Sequence, residues 1–456
     1  MAPLYRSGII ESNGYDIMFY QEDFRFVFMA PKTYQPFGDN NLYILTPDEN
    51  GFISGKTHEG QPISIYIRDE MELITTHPII SACYILGTPS HEYDRFSSVK
   101  FSGGILNLLH YPDSSVIKKD EATGKMICEN KMNNLRYSYS DIPTLNNLYI
   151  ESHVEYGNTL NGGSYYRSAD STLVWEADDD GLNWSDLITI YNNILSVCQF
   201  LSFRQNVSFN QIKLQRNIEI EETSISIDVG EVFMRVDGNM TEKKGFQCIS
   251  FDNFNEEEMH RLLSFVTESR SNHPSFSLDY LPDNDDSLYK FDSYRIKNIL
   301  TSMESTLIIT GVTQDLDDNY KSLIRTVKDL IKEHREGDNP LDLSTYDFLF
   351  GSISHWSKPL KERIIQSAEC HMPCLRAYIT YLNRFGTISI SYDKEYIRHL
   401  VNYRNKHTHG TVVDLNTDVG KGALITIALI YSLLLSYLGF SEKQIVQFFN
   451  TGLLVE

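Results

Sequence analysis

Cations are scarce in this chain. Its 456 residues carry 40 Lys and Arg against 61 Asp and Glu, a formal charge of −21, and an acidic surface opposes phosphate binding over most of a molecule. Cysteine is scarce too. Cys83, Cys128, Cys198, Cys248, Cys370 and Cys374 follow no framework of spacings, and a chain of this length does not need disulfide staples, so a reducing, cytoplasmic setting is expected. The opening residues, Met1-Ala2-Pro3-Leu4-Tyr5-Arg6, hold no apolar run of the kind a signal peptide needs. There is no G-x-S-x-G, H-E-x-x-H or EF-hand loop, no internal repeat and no long low-complexity tract. Gly420-Lys421-Gly422 lacks the earlier glycine and the Ser/Thr of a P-loop and reads as the start of a helix.

What is present is unevenly spread. Residues 290–456 hold 19 basic and 19 acidic side chains, which leaves 21 of the 40 basic and 42 of the 61 acidic residues to residues 1–289. Such asymmetry between halves points to divided labour. A neutral C-terminal part can bind RNA where a few cations converge, and an acidic N-terminal part does not favour it.

The first 180 residues read as strands and turns. Asn13-Gly14 and Asn50-Gly51 are turn dipeptides, and Phe24, Phe26 and Phe28, then Ile63, Ile65 and Ile67, alternate with a period of two. Short apolar runs such as Leu42 to Leu45 and Leu173 to Trp175 suggest a sandwich or barrel-like sheet. Leu187, Ile190, Ile194, Leu195, Cys198 and Leu201 then fall at helical spacing after a Ser185-Asp186 start signal. Ser224 to Val229, Val232 to Val236 and Phe246 to Phe251 look extended, and Glu256 to Glu268 helical. The Ser-, Asp-, Asn- and Pro-rich stretch 269–287 has the composition of a connection. The expected division is therefore a β-rich acidic region over 1–285, with a sub-boundary near 181, and an all-α bundle over 286–456: an α+β multidomain chain. Within the bundle, helices are expected at about 288–308, 315–336, 343–371, 374–385, 393–408, 420–438 and 441–450.

Gly422 to Ser441 carries no charge over twenty residues, close to a bilayer span. Thr426, Tyr431, Ser432, Ser436 and Tyr437 interrupt it, and a helix apolar all round serves equally as the core of a bundle or a subunit interface, which is the reading favoured here over a membrane anchor. Cys370 and Cys374 flank Pro373, and His355 could join them around zinc; a helix break between buried thiols is favoured instead.

The segment Asp393 to Gly410, DKEYIRHLVNYRNKHTHG, carries the chemistry. Ile397, Leu400 and Val401 form an apolar stripe that continues, one turn after Leu400, with Arg404. A guanidinium aimed toward a packed side needs either a carboxylate partner or a polar cleft that admits anions. Asn405 follows it, His407 lies three residues on and His409 five, just before Gly410. A guanidinium grips phosphate oxygens in a fork, and imidazole exchanges protons near neutrality. RNA brings its own nucleophile, the 2′-OH, so such a pair needs no metal and no cofactor. His399 reads as a surface or core histidine without a role at the site.

The R-N-K-H-T-H string near the end of a late helix, inside a helical bundle, resembles the motif of HEPN ribonucleases, an Arg and a His separated by four to six residues with a polar residue after the Arg. Arg404, Asn405 and His409 match it, and His407 stands as an additional histidine of auxiliary rank. The order of a long β-rich region before such a bundle is similar to ApeA-type bacterial anti-phage abortive-infection proteins. The resemblance implies a homodimer with a composite cleft, RNA (tRNA among its forms) as substrate, 2′,3′-cyclic phosphate and 5′-OH products, a phage-derived trigger at the N-terminal region, and no membrane. The alternative is a non-catalytic HEPN dimerisation or nucleotide-binding module joined to a protein- or carbohydrate-binding β region.

Overall fold

Alternation of large apolar and polar residues builds the N-terminal sheet in the computed structural model. The structure describes residues 5–450 apart from 13, 30–43, 73–77, 88–94, 111–112, 120–125, 133, 159–163, 178–180, 221–222, 237–247, 273–277, 285–286, 313–317, 338–341, 355–357, 386–388 and 409–414. The chain divides into two compact units: Met1–Thr267 with Asp283–Asp285 and Val455–Glu456, and Glu268–Pro282 with Asp286–Leu454. The first is β-rich and the second helical.

The first unit holds a 13-stranded sheet. In spatial order its strands are Leu135–Ser138, Asn147–Asn158, Ser164–Glu176, Ser98–Ser102, Gln211–Ile220, Thr223–Met234, Cys83–Leu86, Pro62–Tyr66, Phe52–Thr57, Tyr5–Ser12, Tyr15–Glu22, Arg25–Met29 and Ile79–Ile80. Every neighbouring pair is antiparallel. These strands are hydrogen-bonded into one continuous sheet, and their order lies beyond the sequence pattern, because alternation sets which face each strand buries while leaving open which strand it pairs with. Strands on both sides of residue 181 enter it: Ser98–Ser102 lies between Ser164–Glu176 and Gln211–Ile220. Both edges are short, which limits the template they offer to other chains.

The alternating residues behave as their spacing requires. Phe26, Phe28, Ile63, Ile65 and Ile67 are buried in one cluster with Ile10, Ile17 and Phe19, and Phe24 packs against its edge. Gly14 closes the first hairpin at φ +77°, where a side chain would strain the backbone, while Asn13 lies outside the described residues. Four local expectations differ. The Ser224–Val229 and Val232–Val236 runs are one strand, Thr223–Met234. Phe251 opens a 3-10 turn, Phe251–Asn253, rather than ending a strand.

The helices are α1 Gly104–Leu109, α2 Trp184–Ser202, α3 Glu256–Asn272, α4 Ser293–Ile309, α5 Asp318–Glu336, α6 Leu343–Ser354, α7 Leu360–Cys370, α8 Met372–Phe385, α9 Lys394–Thr408, α10 Thr417–Tyr437 and α11 Glu442–Asn450. The third difference is at α2, whose cap is Asn183, two residues before Ser185: the Asp186 carboxylate accepts the Asn183 amide at 2.8 Å. Likewise the single helix expected over 343–371 is two, α6 and α7, with Pro359 capping α7.

In the helical unit α10 is the axle. It is long and apolar enough to cross a membrane by length and composition, yet 83% of its most apolar stretch is buried, and it packs against α4, α7, α8, α9 and α11. Asn416 caps it by accepting the Val419 amide at 3.0 Å, so Gly420-Lys421-Gly422 lies in its first turns. Gly422 is where α9 and α10 meet most closely, since a Cβ there would sit 2.2 Å from the Tyr396 carbonyl oxygen. An aromatic knot closes the core: Tyr431 of α10 stacks on Tyr378 of α8 at 5.8 Å, and Phe449 of α11 meets the Tyr378 ring edge-on at 4.7 Å.

Candidate functional site

Helix α9 places the candidate residues by amphipathic spacing. Ile397 and Leu400 are fully buried and Val401 and Tyr403 nearly so, so the helix seats one face against α4, α7 and α10 and turns the other to solvent. Asp393 caps its start by accepting the Glu395 amide at 2.9 Å. Glu395 occupies the first turn and Lys406 and His407 the last, each sign suited to the helix dipole.

Arg404 stands at the border of these two faces, half-buried. Its Nη2 lies 3.3 Å from Oε2 of Glu304 on α4, and the two side chains retain 30% and 33% of their exposure. Glu304 is positioned by α4 in turn, where Ile296, Ile299, Leu300, Met303 and Leu307 bury the neighbouring face. The sequence calls for a carboxylate near a guanidinium on an apolar stripe but does not say which, because Glu304 is a hundred residues away and reaches Arg404 only through the packing of α4 on α9. An ion pair so open to water holds a cation in place without consuming it, and a phosphate can compete for the same donors.

Asn405 and His407 are exposed beside it. The His407 ring stacks on Tyr403 at 5.9 Å, which anchors one side of the imidazole while the other meets solvent. His409 and Gly410 lie outside the described residues, so the structure brings together Arg404, Asn405 and His407 on the last two turns of α9 and makes no statement on the fourth residue. His399 is exposed on α9.

Arg363 on α7, the helix packed against α9, escapes the sequence reading. It is 7% exposed, and its Nε and Nη1 have no hydrogen-bond partner among the described residues. The only signal is its place in the KERII run of α7, which looks like an ordinary solvated face.

The cysteine pair separates. Cys374 is buried, and burial pushes its thiol up to about 11, whereas Cys370 is exposed, contrary to the expected pair of buried thiols, because it closes α7 at the surface while Cys374 opens α8 on its inner face. His355 lies outside the described residues, and no group of three or more His, Cys, Asp or Glu that could hold a metal occurs among the described ones.

In the β-rich unit a cavity of about 660 Å³ is lined by Tyr5, Tyr20, Glu22, Arg25 and His58 among others. Strand register explains it: Tyr5 faces Glu22, and Glu22 faces Arg25, on the outer side of three adjacent strands. No family model, no curated protein and no solved structure matches this chain.

Proposed function

We propose that this chain is a HEPN-type, metal-independent endoribonuclease of ApeA-like anti-phage defence, acting in the cytoplasm as a homodimer and cleaving RNA, tRNA among its forms. The observation that carries the reading is the last two turns of α9: a guanidinium fixed at the edge of a bundle core, with Asn405 and His407 open to solvent on the same helix end. Arg404 grips the scissile phosphate. A base takes the proton of the 2′-OH, O2′ bonds to phosphorus, and the P–O5′ bond breaks as the leaving oxygen receives a proton. The products are a 2′,3′-cyclic phosphate and a 5′-OH. His409 supplies one of these proton transfers, His409 of the partner subunit the other, Asn405 orients either group and His407 assists. The β-rich unit receives the phage-derived trigger, and its outer-face cavity is the proposed seat.

A second reading has its own observation. The Glu304 carboxylate beside Arg404 is what a structural ion pair looks like, which favours a non-catalytic HEPN dimerisation or nucleotide-binding module with a protein- or carbohydrate-binding β region. The two are separated by incubating the full chain with total tRNA, single-stranded RNA and DNA in EDTA. Cyclic phosphate ends that fall by roughly a hundredfold or more in both Arg404→Ala and His409→Ala support catalysis. Cleavage unchanged in both variants sinks the site, and RNA binding without cleavage favours the module.

A further inference from the structure

The helical unit is neutral overall, but its cations are not evenly placed. Helix α5 carries Lys321, Arg325, Lys328, Lys332 and Arg335, spaced four, three, four and three residues apart. At about 100° per residue these five fall within an arc of about 80°, and at 1.5 Å per residue they form a line about 21 Å long. Asp318, Asp329 and Glu333 fall on the adjoining arc. None of the five cations makes an ion pair with a carboxylate among the described residues.

Helix α6 backs this line with aromatic rings. Lys328 and Lys332 lie 5.0 and 5.7 Å from the centre of the Phe350 ring, and Arg335 lies 4.3 Å from that of Tyr346. Tyr346 and Phe350 stack on each other at 5.5 Å. Rings hold the cations in register without neutralising them, as a carboxylate would. Away from the cations the helix is open too: Tyr320, Leu323 and Leu330 are exposed on the other side of α5, and no described residue of α5 is buried.

We infer that this face of the α5–α6 hairpin docks the phosphate backbone of single-stranded RNA. The inference rests on the reading of the helical unit as one that acts on RNA, and it assigns that unit a substrate track separate from the Arg404 site. A line of cations that no carboxylate among the described residues neutralises matches what a polyanion backbone requires. A membrane surface is the competing partner, since α5 also exposes Tyr320, Leu323 and Leu330, but Asp318, Asp329 and Glu333 on the arc beside the cations would face an anionic headgroup layer and weigh against it.

The test is binding of a labelled 2′-O-methyl single strand to the full chain across a salt series, since that strand lacks the nucleophile and is not cleaved. Affinity should fall with salt, with a log–log slope of about −0.7 per phosphate contact. Lys321→Ala/Arg325→Ala/Lys332→Ala should weaken binding roughly tenfold or more and flatten the slope by about 2. Lys321→Arg/Lys332→Arg should restore it, and Lys297→Ala/Lys443→Ala should leave it unchanged. Unaltered binding by the triple variant, at an unaltered melting temperature, overturns the inference. So does capture of phosphatidylserine vesicles in place of the strand. A parallel cleavage assay keeps the two readings apart: α5-dependent binding with cleavage indifferent to Arg404→Ala removes the catalytic site and leaves the track, and Arg404-dependent cleavage with α5-independent binding does the reverse.

Discussion

Arg404 Nη2 on α9 sits 3.3 Å from Glu304 Oε2 on α4, with both side chains about one third exposed. That geometry fixes what Glu304→Gln should do. Water screens the pair, so its loss should cost no more than about 1 kcal/mol of stability in chemical denaturation. Removing the competing carboxylate should tighten the binding of the 2′-O-methyl strand several-fold, because the guanidinium's donors then have the phosphate alone to satisfy. A loss of several kcal/mol with unchanged RNA affinity assigns Arg404 to holding α4 against α9.

Cys370 and Cys374 should react in sequence. Cys370 is exposed at the end of α7, and Cys374 is 1% exposed with its thiol pushed up to about 11 by burial and by the Glu442 carboxylate. Iodoacetamide at pH 8 should modify Cys370 within the folded chain and spare Cys374 until the protein unfolds or the pH nears 11. Peptide mapping of the labelled protein reads the order, and equal rates at both positions would contradict the packing of α8.

Some of this is legible in the sequence alone. Charge-free Gly422 to Ser441 reads as a buried helix, and α10 is buried by five neighbours, since an apolar helix has no solvated face to offer. The stripe ending at Arg404 reads as a cation aimed toward the packed side, and the structure places it half-buried at the border, because helical spacing alone fixes which residues share a face. What spacing leaves out is who sits across the gap. Glu304, the pairing order of thirteen strands and the contact between Gly422 and Tyr396 are all long-range relations. The α5 stripe was written plainly at four-three spacing, but a run of surface Lys and Arg reads as an ordinary solvated face until the rings of Tyr346 and Phe350 are found beneath it.

Alkaline pH should unfold this protein from within. Tyr280, Tyr378 and Tyr431 are buried together, and burial first, then neighbouring phenols at Tyr378 and Tyr431, hold their hydroxyls above the ordinary value of 10.0. Burial likewise raises the Cys83 thiol to about 12 and Tyr191 to about 12. Each folded value exceeds its unfolded one, so each group's contribution is fully present below the unfolded value and is lost as pH rises through the folded one. Stability should be level toward neutrality as far as these groups are concerned and decline from about pH 9 upward. Tyrosinate absorbance should therefore rise in two parts: an early part from exposed phenols, and a cooperative part that coincides with loss of helical circular dichroism. A single smooth titration complete before the helices melt would mean that the aromatic knot is open to water.

Gly422→Ala is the sharpest probe of the bundle that carries Arg404. On an isolated helix the change should help, since alanine exceeds glycine in helix propensity by about 1 kcal/mol. Here the new Cβ would lie 2.2 Å from the Tyr396 carbonyl oxygen, 2.9 Å from its carbon and 3.0 Å from the Leu400 side chain. Backbone cannot step aside as a flexible side chain can, so α9 must move off α10 along the turn that also buries Leu400, and overpacking of this kind costs about 1–3 kcal/mol. The expected result is a net loss of stability in denaturant melts, with a weaker hold on the Arg404 end of α9. Comparison with Gly420→Ala isolates the cause: there the nearest atom, on the Phe291 ring, is an ordinary 3.5 Å away, so only the propensity gain remains. Equal stabilisation at both positions would show that α9 and α10 are not in the contact described.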